Sequence, residues 1–406
     1  MYKPNNFQLN YAGIVILFCL VLGGGTNQNL WSDHLLQIIM LPLSIVGITN
    51  IFESRIGNIS KGLVLSILVL LVIQFIPLMG IRGFPVYSEL STNWSFWSIS
   101  PSRSLEASLF TIAILGFSLF VAQLNDYQQK RLIRFIALGF VINILIGIIQ
   151  LSFGSRITIT GVLPYNITSG MFANENHFSS LIYIMLPLFA WRFLTDSKKP
   201  WAYLTIAGLI VFFEFAIGSR AGMAISLGLA LFSFFWAIFA IPTGKYKLLI
   251  YVLITATALI EFYVITDLPL ATGVSRTLIF SITWEAIQDH WLTGTGLGSF
   301  LLVIPMFEKQ KDIYYVYINQ AHNEYLQLFL ELGIVIIPMI LLFLVQIIQN
   351  MFNSKLSKMA TISLLAIMAH STVDYPLRTM AIAIVFGTLS AIVLSERNDR
   401  SNQGLQ

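Results

Sequence analysis

An all-helical, polytopic membrane protein is the fold class this sequence predicts, and three observations predict it. Of the 406 residues, 56% are hydrophobic and only 10% are charged, with a mean hydropathy of +0.79. A soluble domain carries about 25% charged residues, so water is not the main solvent of this chain. The apolar residues also fall in long continuous runs, each approaching the roughly 20 residues a helix needs to cross the hydrocarbon core. Barrel strands, the other structure that satisfies its own backbone in lipid, would alternate over shorter runs. Finally, Lys and Arg gather in every second connection between runs, as they do on the cytoplasmic side of a membrane protein.

The spans read, in order, 10–24, 34–50, 62–80, 108–124, 133–153, 178–194, 201–217, 222–241, 249–267, 328–348, 358–371 and 379–395, about twelve helices with both termini on one side. The first follows Lys3 alone and reads as a retained helix rather than a cleaved signal. Cys19, the one cysteine, sits inside it and forms no intramolecular disulfide. With the termini cytoplasmic, the inside segments hold 15 of the 23 Lys and Arg residues, and each holds at least one. The opposite orientation would put those cations outside, against the positive-inside rule. No repeat, linker or terminal soluble domain interrupts the chain, so residues 1–406 form one membrane domain. Three extracytoplasmic segments are long enough to carry function, near 81–107, 154–177 and 268–327, the last being the large loop.

The polar residues of that face define the candidate chemistry. All five histidines, His34, His177, His290, His322 and His370, fall at or near it. The large loop holds Ser275-Arg276-Thr277, a helix through Trp284 and His290, and a glycine turn over 294–300. The turn is not a nucleotide fingerprint, which needs a preceding strand; it returns the loop to the membrane. Ala321-His322-Asn323-Glu324 then leads into the tenth span, with His322 expected on its first turn. A neutral imidazole there accepts a proton near neutral pH, as a general base must; the alternative is an interfacial histidine bonded to backbone. Arg220, in Gly218-Ser219-Arg220-Ala221-Gly222, offers a planar fork that suits a diphosphate, or else it pairs with Glu214 one turn back. Asn174 or Asn176 caps the sixth span. In the last turn His370 and Asp374 are expected to pair, with Arg378 as a further phosphate contact or an interface anchor. Metal-ligand spacing and nucleic-acid motifs are both missing, so neither cofactor nor nucleic acid is expected.

In this order, Asn174-Glu175-Asn176-His177-Phe178, Ser219-Arg220-Ala221-Gly222, Ser275-Arg276 with Trp284, the 294–300 turn, His322-Asn323-Glu324-Tyr325-Leu326-Gln327 and the 370–378 turn resemble the O-antigen ligase and polymerase superfamily of bacterial envelope glycosyltransferases. The resemblance runs over roughly 100–395 and is strongest from 210 to 335. It implies a C-type, metal-independent inverting glycosyltransferase in the inner membrane, its active site facing the periplasm. Its donor would be a glycan on undecaprenyl diphosphate. The acceptor would be another glycan or lipid A-core, with membrane lipid around both. Carried over residue by residue, His322 stands beside the acceptor as the catalytic group. Arg220, Arg276 and, on a looser match, Arg156 hold the diphosphate, and Glu324, His370, Asp374 and Arg378 are accessory candidates. Polymerisation of a surface polysaccharide is slightly preferred over ligation to lipid A-core. The rival from another class is a transporter or flippase of lipid-linked oligosaccharide, although the two halves show no matching pattern of the kind many transporters have.

Overall fold

The computed structural model describes residues 4–28, 30–77, 96–153, 168–240, 275–309 and 318–395. Every regular element among them is helical. In order they are α1 (Asn6–Leu22), α2 (Trp31–Thr49), α3 (Asn58–Ile73), α4 (Pro101–Gln123), α5 (Asp126–Phe153), α6 (Glu175–Ala190), α7 (Pro200–Ile217), α8 (Arg220–Ala240), α9 (Arg276–His290), α10 (Phe300–Phe307), α11 (Glu324–Leu332), α12 (Ile336–Asn350), α13 (Lys355–His370) and α14 (Met380–Leu394). The ninth expected span, 249–267, lies outside the described residues. Among the described residues, six helical stretches are long and apolar enough to cross a membrane: α2, α4, α5, α6 with the turn that extends it, α7, and α11 with α12. Large apolar side chains such as Ile38, Leu209, Phe212 and Leu341 point outward and are exposed, which in an integral membrane protein is the lipid-facing surface.

The centre of the bundle is α6. Its residues from His177 to Leu188 are buried on every side, as expected for a helix apolar all round, and it packs on α8, α13 and α7. Around it α2 lies on α4, α1 on α5, and α14 on both α4 and α13. Where α2 meets α4 the backbones touch through small residues, the device that drives helix association in lipid. The Ser44 hydroxyl donates to the Ala113 carbonyl at 2.8 Å. A Cβ added at Gly47 would come within 1.9 Å of the Gly116 carbonyl oxygen. Gly47→Ala is therefore expected to separate the pair and cost about 1–3 kcal/mol, the usual penalty for overpacking, seen as a lower melting temperature in detergent. An unchanged melting temperature would show that α2 and α4 slide apart freely.

The tenth span is not one helix, as the sequence reading had it. Gly333 adopts φ +71 and a single 3-10 turn, Gly333–Val335, separates α11 from α12. The break has a use. It frees carbonyls at the end of α11, and the glycine turn takes them: the Thr295 amide donates to Leu330 O at 2.9 Å and the Gly296 amide to Glu331 O at 2.8 Å. Gly294 and Gly296, at φ +66 and +103, hold backbone conformations that only glycine adopts without strain. From the other side Trp97, Ile99 and Ser104 bond the carbonyls of Thr293, Thr295 and Leu297. The turn thus fixes α9 and α10 against α11 over a small apolar cluster of its own, including Ile282, Ala286, Phe300, Val303 and Leu330.

Candidate functional site

One end of the bundle gathers the start of α6, the α7–α8 turn, the start of α9, the segment before α11 and the turn between α13 and α14. At their meeting point stands Asp374, with its side chain fully buried. Its Oδ1 accepts from the Tyr375 backbone amide at 2.9 Å, and its Oδ2 from the Asn176 side-chain Nδ2 at 2.6 Å. His322 Nδ1 lies 3.3 Å from Oδ1, His177 Nε2 lies 3.7 Å from it, and a guanidinium nitrogen of Arg276 lies 3.4 Å from Oδ2. The two imidazoles stand at ion-pair distance but off the line of a good hydrogen bond. Burial alone would raise this carboxyl, but the contacts and charges of His177 and His322 outweigh it and hold Asp374 well below the ordinary carboxylate value. Tyr375 packs edge-on between the two imidazoles, its ring centre 4.8 Å from His177 and 4.9 Å from His322. Burial and the charge of Asp374 push its phenol up to about 12, so it stays neutral at physiological pH.

His322 was expected on the first turn of a helix; it precedes the helix instead. Asn323 is the cap of α11, its Oδ1 accepting from the amides of Tyr325 and Leu326, and His322 sits one residue earlier at φ +50. A non-glycine residue there is uncommon, though histidine is tolerated better than most, and such strain collects at functional sites. The twist turns Nδ1 toward Asp374. Its side chain is 23% exposed, whereas that of His177 is sealed. His322 is the imidazole a ligand can reach.

The two asparagines at the start of α6, the cap Asn174 and Asn176 in its first turn, divide their work. Asn174 caps the helix through the Asn176 amide at 2.8 Å, which leaves the Asn176 side chain free to bridge. It receives the Ser219 hydroxyl at 2.7 Å while donating to Asp374. Ser219 immediately precedes Arg220, the half-buried first residue of α8, so the network around Asp374 reaches the chain beside that arginine. Glu214 accepts from the Ser179 and Ser226 hydroxyls at 2.5 and 2.9 Å. Arg276, at the first position of α9, keeps 45% of its side chain exposed.

Other candidates take different places. His370 does not pair with Asp374: its Nδ1 meets the hydroxyls of Ser180 and Tyr183, each at 3.1 Å, because the last turn of α13 directs the ring into α6. Arg378 is a structural fork rather than an open anion contact. It donates to Glu324 at 3.1 Å and to both oxygens of Glu331 at 3.4 and 3.2 Å. Burial opposes its charge, but Glu331 and Glu324 more than compensate and raise its pKa further. Arg156 lies outside the described residues. The sequence reading did not foresee that His177, Asn176 and Tyr375 meet His322 around Asp374. The signal available was the spacing Asn174-Glu175-Asn176-His177: one asparagine suffices for a cap, and the second was left without a task.

This geometry sits partly inside a recognisable unit. No curated protein matches the chain, but residues 182–341, which include Arg220, Arg276 and His322, match the family model described as O-antigen ligase. Residues 182–341 thus resemble the O-antigen ligase domain within an otherwise helical, apolar chain, which supports the likeness to the O-antigen ligase and polymerase superfamily.

Proposed function

We propose that the protein is a membrane glycosyltransferase that moves a glycan from undecaprenyl diphosphate to a hydroxyl acceptor at the periplasmic face of the inner membrane. In this reading the chain crosses the membrane about twelve times, with both termini cytoplasmic. The observation that carries it is the buried carboxylate of Asp374, which faces His322 Nδ1 with one oxygen and Arg276 with the other. With Nδ1 turned to Asp374, His322 Nε2 is the nitrogen left to take a proton. It removes the proton of the acceptor hydroxyl as that oxygen bonds to the anomeric carbon. The bond from that carbon to the diphosphate breaks on the opposite face, so the configuration inverts. The lipid diphosphate leaves with the bonding electrons, and the guanidinium groups of Arg276 and Arg220 stabilise the charge it gathers. Below Arg220 an open apolar groove of about 310 Å³ between α8 and α13, lined by Ala224, Gly228, Leu229, Ile362 and Leu365, suits the polyprenyl tail. Among acceptors, a further repeat unit, and hence polymerisation, is slightly favoured over lipid A-core.

Purified protein in liposomes, given a defined undecaprenyl-diphosphate oligosaccharide, tests the reading with products resolved by mass. Longer lipid-linked glycans without added acceptor identify a polymerase, and transfer only on addition of lipid A-core identifies a ligase. A folded protein that leaves the donor intact but moves it across the bilayer overturns the enzyme in favour of a flippase. Arg276→Ala is expected to raise the KM for donor about 10- to 100-fold, the value of one charge-assisted contact.

A further inference from the structure

Two carboxylates outside the Asp374 cluster have no counterpart in that chemistry. Asp33, in the first turn of α2, is 8% exposed, and Glu324, at the start of α11, is 4% exposed. Asp33 Oδ1 and Glu324 Oε1 are each buried without a hydrogen-bond partner among the described residues. Such a group costs folding free energy, so each calls for an explanation. Both residues line one cavity of about 220 Å³, together with Arg103, Glu106, Gln320 and Arg378.

Its electrostatics select the ligand. Three carboxylates face two guanidinium groups. Arg378 is already held between Glu324 and Glu331, and Arg103 donates to Gln28 at 3.1 Å. The unpartnered oxygens of Asp33 and Glu324 welcome O–H donors, while Arg103, His34 and the lining amides can donate in return, the two-way bonding that hydroxyl groups need. The described residues contain no group of three His, Cys, Asp or Glu side chains placed to hold a metal ion. Amide side chains of Gln28, Gln37 and Gln320 line the cavity together with apolar Phe110, Leu297 and Leu328, a mixture that matches the hydroxyls and C–H faces of a sugar.

The position selects the role. Gln320 and Glu324 flank His322 by two residues on either side, so a sugar in this cavity lies against the segment that carries the proposed base. The arginines suited to the donor's diphosphate belong to α8 and α9. The polar cavity also shares Phe110, Thr111, Glu324, Leu328 and Leu377 with an apolar cavity of about 400 Å³ between α3, α4, α12 and α14. We infer that the Asp33–Glu324 cavity is the acceptor subsite, binding the hydroxyls of a glycolipid-borne saccharide; the acceptor role rests on the transferase reading, whereas the saccharide binding does not.

The test measures binding apart from turnover. The probes are the oligosaccharides released by mild acid from the source cells' own glycolipids. They are titrated by saturation-transfer NMR against full-length wild type, Asp33→Ala, Asp33→Asn and His322→Ala in phospholipid nanodiscs. Wild type and His322→Ala are both expected to bind. Asp33→Ala is expected to raise Kd about tenfold, the value of the hydrogen bond it removes, with Asp33→Asn between. Removing a carboxylate oxygen that has no partner should leave the melting temperature unchanged or raise it; a fall would assign Asp33 a structural role and overturn the inference. Equal Kd in wild type and Asp33→Ala, or no binding to either wild type or His322→Ala, would also overturn it. If binding depends on Asp33 while wild type leaves the donor intact, the subsite stands and the transferase reading falls. If the donor is consumed but binding ignores Asp33, the reverse holds.

Discussion

His322→Ala and Asp374→Asn are each expected to slow glycan transfer by about 10²–10⁴-fold, the range over which a positioned general base acts, and the double variant by little more than either. The argument starts from the contact between His322 Nδ1 and Asp374 Oδ1 at 3.3 Å. An imidazole whose Nδ1 faces a fixed carboxylate presents Nε2 to the acceptor, and the imidazolium formed on proton transfer is stabilised by the same charge. Asparagine keeps the shape of Asp374 but removes that charge, so the base loses its orientation and its counter-ion together. Residues that act as one unit give effects that do not add. Turnover at saturating donor, with folding checked by thermal unfolding, measures all three variants. Losses that multiply in the double variant would sink the dyad. The pH dependence supplies a second check. Because the folded-state pKa of Asp374 is depressed below its ordinary 3.8, its contribution is fully present above that value. It is lost only as pH falls through the depressed one. Activity that depends on the Asp374 charge is therefore expected to persist at neutral pH, and a loss there that is absent in Asp374→Asn would contradict the assignment.

How much of this was legible beforehand depended on whether the information was local. Span positions were, since an apolar run is a property of consecutive residues, and helices lie where the described spans were expected. The break at Gly333 was not, because only the docking of Gly294 against the Glu331 carbonyl makes a left-handed residue useful there. His322, Arg276 and Asp374 were each named from sequence, yet their meeting was not foreseen. Asp374 was assigned to His370, its neighbour in the chain. In the structure the ring of His370 is claimed by α6, and Asp374 is claimed by residues 52, 98, 197 and 198 positions away in sequence. The family match ends at 341, before Asp374, so the hub of the site lies in a segment that the motifs before it do not describe. The orphan carboxylate of Asp33 had no local signature at all.

Arg378→Ala is expected to be the most destabilising single substitution near the site, at about 3–5 kcal/mol, the cost of removing one partner from a buried ionic cluster. Sequence offered Arg378 as a phosphate contact, in which case its loss would impair donor binding and spare stability. The geometry argues otherwise. The guanidinium is 16% exposed and spans two carboxylates whose side chains are 5% and 0% exposed, giving Nε to Glu324 and both terminal nitrogens to Glu331. Gln327 adds one more donor to Glu331 at 3.2 Å, far too little to hold that charge once the arginine is gone. Lysine cannot replace the fork, having one compact ammonium where three directed N–H groups are in use, so Arg378→Lys should recover only part of the loss. Adding Glu324→Gln and Glu331→Gln to Arg378→Ala should recover more, since a buried amide costs less than a buried unpaired carboxylate. Thermal unfolding of the four proteins in one detergent decides the matter. Wild-type stability in Arg378→Ala, with a raised KM for donor, would return the arginine to the diphosphate. The expected order instead makes the cluster a clamp that fixes α11 to the α13–α14 turn, and with it the strained segment that aims His322 at Asp374.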